Sequence, residues 1–319
     1  MGDRQRGEPP APPPPVTSIT SITFITSPPP LPFSPLPLQD SIMTHTFVFR
    51  PALVAALGAC LAGTARAQSL PALGDSATAR LNASPRHGEW VKVDAGAGDT
   101  VNAWLVYPER RDKAPGVVVI HEIFGLTDWV RGVADQLAKE GFIAIAPDLL
   151  SRHGPNGGGS ESVDQQGAVR LIRDVTPAEA QRRLVAAGRH AAALPAARDR
   201  IASVGFCWGG STSFALATVW PDLKGAVVYY GTSPDSTALA NVSARVLGLY
   251  GGDDARVDAT VPGAQATMQR LGKPYEVHTY DGAGHGFARD QAGRDGANAR
   301  AIAQAWPRTI AFLREVLGR

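Results

Sequence analysis

From about residue 88 onward, short β-branched runs alternate with stretches of helical spacing, and this alternation constrains the fold more than any other feature of the chain. The spacing predicts strands at Glu89–Asp94, Val101–Tyr107, Gly116–Ile120, Phe142–Ala146, Ile201–Gly205, Gly225–Tyr230, Ala244–Tyr250 and Tyr275–Tyr280. Helices are expected between them at Asp128–Glu140, Val163–Asp174, Pro177–Leu194, Gly209–Val219 and Ala259–Leu271, with a closing helix at Ala297–Leu317. Ser151–Ser162 has no period and reads as a loop. Strands that alternate with helices imply an α/β domain: a mostly parallel sheet with helices on both faces and a site at the carboxyl ends of its strands. No internal repeat and no linker interrupts residues 88–319, which are read as one catalytic domain.

The first 87 residues are a different polymer. Of 26 prolines, 12 fall in residues 1–42, a low-complexity stretch that lacks the means to bury a core; it is read as untranslated sequence in frame ahead of a true start at Met43, with a genuine Pro-rich extension as the alternative. Met43 then opens a second pattern: Arg50 as positive flank, an apolar run from Ala52 to Ala62, and Ala65-Arg66-Ala67 before Gln68. This is read as a signal peptide over 43–67, cut after Ala67, which directs the chain to the periplasm or outside the cell. The apolar run falls short of the ~20 residues a membrane-spanning helix needs, so no stable membrane insertion is expected. Lipidation at Cys60 is the second reading, and residues 68–87 are expected to be a flexible lead-in. Thirty-one basic against 29 acidic residues leave a net charge of +2, which gives no reason to expect nucleic acid as a partner. With 44% hydrophobic and 19% charged residues, the chain as a whole is too apolar for a disordered protein.

Cleavage after Ala67 leaves 252 residues and one cysteine, Cys207, so an internal disulfide is excluded. Cys207 lies in Gly205-Phe206-Cys207-Trp208-Gly209-Gly210, between a predicted strand and a predicted helix. That Gly-x-Cys-x-Gly turn is a nucleophile elbow with cysteine in place of the usual serine. A helix N-terminus favours the thiolate, so the local sequence predicts a depressed thiol pKa. Past the next strand ends come Asp253-Asp254 and then His285 in Asp281-Gly282-Ala283-Gly284-His285-Gly286-Phe287, in the order nucleophile, acid, histidine. His285 is the candidate general base and Asp254 its orienter, with Asp253 the alternative. The backbone N–H groups of Ile123 and Trp208 are the candidate oxyanion donors, because His121-Glu122-Ile123 follows a buried strand. His190 and His278 are read as structural. His121, Glu122 and His153 have no metal-ligand spacing, and no metal or organic cofactor is expected.

These residues resemble the dienelactone hydrolases (carboxymethylenebutenolidases) of the α/β-hydrolase fold, over roughly residues 98–316. The landmarks are His121-Glu122-Ile123-Phe124-Gly125, Ala146-Pro147-Asp148-Leu149, the cysteine elbow, Tyr229-Tyr230-Gly231 and Gly284-His285-Gly286-Phe287-Ala288-Arg289. The resemblance implies a Cys207–Asp254–His285 triad, and a Glu122 carboxylate that holds the resting thiol and helps deprotonate it when substrate arrives. It also implies that Arg289 is one of two arginines binding a substrate carboxylate, with Phe124 and Tyr230 as candidate substrate contacts. The chain departs from the pattern at Gln165, which stands where the second arginine is expected, and at Val169, where a tyrosine is common. Arg152, Arg170 or Arg173 would have to reach in to replace it. A neutral amide holds a carboxylate less well than a guanidinium, so a wider ester or lactone range is expected. The expected function is therefore cysteine-dependent hydrolysis of a small ester or lactone through a thioester, by a monomer, with a dimer as the second reading. An exported binding protein without turnover and an acyltransferase using the same triad are the alternatives.

Overall fold

The computed structural model of the chain describes residues 76–318; the leader over 1–42, the export signal over 43–67 and Cys60 lie outside the described residues. In chain order the elements are α1 Ala77–Asn82, β1 Gly88–Gly96, β2 Asp99–Val106, β3 Ala114–Ile120, α2 Asp128–Lys139, β4 Ile143–Pro147, α3 Gln165–Leu171 and α4 Pro177–Ala192. They continue with β5 Ala197–Phe206, α5 Trp208–Leu216, β6 Gly225–Tyr229, β7 Arg245–Gly251, α6 Ala255–Asp258, α7 Val261–Arg270, β8 Tyr275–Tyr280 and α8 Ala297–Leu317.

The strands form one sheet in the order β1-β2-β4-β3-β5-β6-β7-β8. β2 pairs antiparallel with both β1 and β4, and every other pair is parallel. Every residue of β3, β4 and β6 is buried, which is why these strands read as continuous apolar runs instead of alternating ones. One face of the sheet packs Val117, Val119 and Val204 with Trp129 and Leu137 of α2 and Trp306 of α8. The other packs Val118 and Ile120 with Leu184 of α4, Phe214 of α5 and Met268 of α7. This is the expected α/β-hydrolase architecture. The chain runs from β3 outward to β4 and then returns to lay β5 on the other side of β3, so the strand order reverses between β3 and β5. A crevice opens at the carboxyl ends of strands flanking such a reversal.

Several boundaries differ from the sequence reading. The helix expected at 163–174 begins at Gln165, because the Asp164 side chain caps it by accepting from the Gly167 N–H at 2.7 Å. The helix expected at 259–271 is preceded by the single turn of α6. The loop over 151–162 holds two short 3₁₀ turns and hangs on Asp148, whose carboxylate accepts from the Ser160 N–H at 2.7 Å and the Ser160 hydroxyl at 2.6 Å. Residues 76–87, expected to be a flexible lead-in, are tied to α2. Arg86 donates to both oxygens of Asp135 at 2.8 and 2.6 Å, Ser84 donates to the same carboxylate, and Thr78 bonds Asp128. The sequence pattern did not show this because the partners lie about fifty residues further on. No helix among the described residues is long and apolar enough to cross a membrane.

Candidate active site

The elbow is built by steric exclusion. Cys207 takes φ 56°, ψ −118° at the start of α5, a conformation that a non-glycine residue holds only when its surroundings enforce it. A Cβ on Gly205 would lie 1.9 Å from the Gly209 carbonyl oxygen, and one on Gly209 would lie 2.4 Å from the carbonyl oxygens of Ile120 and His121. The first turn of α5 therefore presses directly on the end of β3, which brings Cys207 and the 121–123 segment together.

His285 Nε2 lies 3.0 Å from the Cys207 sulfur, and His285 Nδ1 lies 2.5 Å from Asp254 Oδ2. A carboxylate only accepts, so Nδ1 carries the proton and Nε2 offers a lone pair to the thiol. Asp254 is buried at the end of β7, whereas Asp253 turns outward and accepts from Arg294 at 2.9 Å. Tyr230, fully buried with φ 39°, packs edge-on against the His285 ring at 5.2 Å. His153 bonds Glu179 and His278 bonds Glu276.

Glu122 is buried at the end of β3. Arg289 donates to its Oε2 at 2.8 Å and the Tyr230 hydroxyl to its Oε1 at 3.4 Å. Burial raises the Glu122 pKa, and Arg289 opposes the rise. The thiol departs from the local expectation: it is pushed up to about 11, first by burial and next by the negative charge of Glu122. The backbone N–H groups of Trp208 and Ile123 both reach the sulfur and pull the other way, without cancelling these effects. The helix N-terminus thus loses to desolvation and like charge. Glu122 works against the resting thiolate, and its carboxylate accepts hydrogen bonds from Arg289 and Tyr230.

Beside this cluster lies a cleft of about 500 Å³ walled by Trp90, Phe124, Leu126, Trp129, Gln165 and Arg289. The Arg289 guanidinium lies 5.1 Å from the Phe124 ring centre. Gln165 and Arg289 share the cleft, as the resemblance implies, but Tyr230 sits behind Glu122 and does not line it. Of the arginines proposed to replace the second clamp, Arg152 donates to the Gly98 carbonyl at 2.6 Å, and neither Arg170 nor Arg173 lines the cleft. Arg131 of α2 does line it, which the sequence reading missed because its position reflects packing over Trp90 and Trp104 and no motif marks it. Thr78 and Trp90, from the N-terminal segment, were missed for the same reason.

The family model for the dienelactone hydrolase family matches residues 101–317. A Saccharolobus solfataricus protein named as a carboxymethylenebutenolidase is 32% identical over 250 residues, spanning 69% of this chain and 95% of its own length. The crystal structure of a dienelactone hydrolase from Klebsiella pneumoniae superposes with a TM-score of 0.63 at 29% identity, covering 71% of this chain and 97% of that one. A dienelactone-hydrolase-like promiscuous phosphotriesterase from metagenomic libraries gives a TM-score of 0.63 at 26% identity, covering 72% and 98%. With the parallel sheet, the cysteine elbow and the matched span in agreement, the chain belongs to the dienelactone hydrolase family and is a hydrolase of the α/β-hydrolase fold.

Proposed function

We propose that the protein hydrolyses small carboxylic esters or lactones through a thioester on Cys207. The observation that carries this reading is the unbroken relay from Asp254 to His285 to the Cys207 sulfur, at 2.5 and 3.0 Å. His285 Nε2 takes the thiol proton as the sulfur attacks the carbonyl carbon, and Asp254 stabilises the imidazolium that forms. The carbonyl oxygen becomes negative and is held by the Ile123 and Trp208 N–H groups, the same donors that reach the resting sulfur. His285 returns its proton to the departing alkoxide, which for a lactone remains tethered to the acyl group. Water, deprotonated by His285, then attacks the thioester, and the carboxylic acid leaves as the thiol is restored.

Arg289 has two roles in succession on this reading. At rest it neutralises Glu122; a substrate carboxylate in the cleft competes for the same guanidinium. Glu122, freed of its partner beside the sulfur, then becomes more basic and helps His285 draw the proton from the thiol. Gln165 in place of a second arginine argues for substrates that do not depend on a carboxylate.

Incubation with a slowly deacylating aryl ester, followed by peptide mass spectrometry, is expected to find one acyl group on Cys207, and Cys207→Ala is expected to abolish turnover. Undiminished turnover by Cys207→Ala would overturn the mechanism. The apolar run and the Ala65-Arg66-Ala67 site support export, for which N-terminal sequencing of the exported protein is expected to begin at Gln68.

A further inference from the structure

His121 takes no part in the relay, yet it bonds the Glu122–Ile123 peptide and stacks on the Trp208 side chain. Its ring is fully buried at the end of β3. The Leu149 N–H donates to His121 Nε2 at 3.1 Å, which occupies the lone pair on that nitrogen and leaves the proton on Nδ1. That Nδ1–H donates to the Glu122 carbonyl oxygen at 2.7 Å. The carbonyl of Glu122 and the N–H of Ile123 belong to one trans peptide and point in opposite directions. Holding the carbonyl toward His121 therefore aims the Ile123 N–H away from it, toward the Cys207 sulfur that it reaches. The same carbonyl takes a second, longer bond from the Gly125 N–H at 3.2 Å, closing the turn that follows. On its other side the imidazole stacks on the Trp208 indole, with ring centres 5.8 Å apart and planes within 19°. Trp208 supplies the second amide. Burial lowers the His121 pKa, which keeps the ring neutral.

We infer that His121 is a positioning residue for the oxyanion site: its Nδ1–H holds the Glu122–Ile123 peptide in the orientation that points the Ile123 N–H at the reacting carbonyl oxygen. The inference rests on the reading of Cys207 as nucleophile and of Ile123 and Trp208 as its oxyanion donors. It accounts for a histidine at this place, since one ring supplies an acceptor to Leu149 and a donor to Glu122 at once. Loss of the whole amide donor costs about 10²–10³ in rate at comparable sites. The Gly125 bond remains when His121 is replaced, so the expected loss is smaller.

Two substitutions separate positioning from support of the fold. His121→Phe retains a ring against Trp208 and lacks both hydrogen bonds. His121→Asn places an amide N–H where Nδ1 stood and likewise lacks the acceptor for Leu149. Both are expected to lower Tm. His121→Phe is expected to lose about 10- to 100-fold in kcat with KM within about threefold, whereas His121→Asn retains kcat within about threefold of the parent. A substrate-like aldehyde, which forms a tetrahedral adduct on the cysteine, is expected to lose affinity for His121→Phe by the same factor as kcat. If the phenyl is not accommodated, His121→Ala tests the same loss. Parental kcat in the donorless variants overturns the inference, and so does an equal fall in kcat for His121→Asn. Cys207→Ala measured alongside separates the two readings: its activity refutes the nucleophile, while its inactivity beside an active His121→Phe refutes the positioning alone.

Discussion

Cys207 stands between opposed influences of unequal size. Burial and the Glu122 carboxylate raise its pKa, the two amide N–H groups and Arg256 lower it, and the thiol settles at about 11. At neutral pH the Cys207 sulfur is thus protonated, and an alkylating reagent meets a thiol. Glu122→Gln removes a negative charge beside the sulfur, so the thiol pKa falls and thiolate appears at lower pH. Iodoacetamide labelling of Cys207 at pH 8 is expected to speed up severalfold in Glu122→Gln, with the midpoint of its pH profile shifted below that of the parent. An unchanged profile would show that Glu122 does not govern the thiol. The Asp254 carboxylate gives a second prediction. Asp254→Asn is expected to lower kcat by about 10²–10⁴, because the amide no longer favours the Nδ1–H tautomer, while Asp253→Asn stays within about twofold. Steady-state kinetics on one ester would check both. The choice between these neighbours was hard to read in the sequence because adjacent strand-end residues differ chiefly in direction. Arg294, which takes Asp253 outward, follows about forty residues later.

At the scale of elements, the strands were legible because each central one is buried on both faces and so had to be apolar throughout. Helix ends were less legible, since a cap such as Asp164 acts through one hydrogen bond and leaves no periodic trace. The joining of β2 to α4 was not legible at all. Asp99, at the start of β2, receives Arg183 at 2.8 and 2.9 Å and Arg182 at 2.9 Å, and Arg183 also donates to the Leu149 carbonyl. Bonding from Arg183 is the main reason that the Asp99 carboxyl is held down to about 2. A folded-state pKa below the unfolded value of about 3.9 stabilises the fold above that pH, and the contribution is lost as pH falls through about 2. Its size is on the order of 2 kcal/mol. Urea titrations of Asp99→Asn between pH 4 and pH 2 are expected to show a fall in stability across that range smaller by about that amount, with lower stability at pH 7 because buried Arg183 keeps only Glu179 as a carboxylate partner. Equal slopes would assign the acid sensitivity elsewhere.

In the whole molecule, one strand order gathers residues from across the chain: Glu122 and Ile123 after β3, Cys207 after β5, Tyr230 after β6, Asp254 after β7 and His285 after β8. The N-terminal segment adds Thr78 and Trp90 to the cleft wall from outside the matched span of 101–317. Arg86 anchors that segment through a carboxylate pair whose side chains are each only 8% exposed. Arg86→Ala leaves Asp135 buried without its cation, which is expected to cost about 3 kcal/mol and lower Tm by roughly 5–10 °C. KM is expected to rise with little change in kcat, because the wall moves and the relay does not. A thermal scan with steady-state kinetics checks this, and an unchanged KM would separate the segment from substrate binding. The sequence by itself determined the fold class and the strand–turn–helix at Cys207, and it put forward the candidate reactive groups, because buried strands and tight turns impose their demands on neighbouring residues. Only the tertiary structure decided that Arg289 covers Glu122, that the thiol rests protonated, and that an N-terminal segment walls the cleft. Those outcomes depend on burial and on charges brought together from distant parts of the chain, which no local pattern encodes.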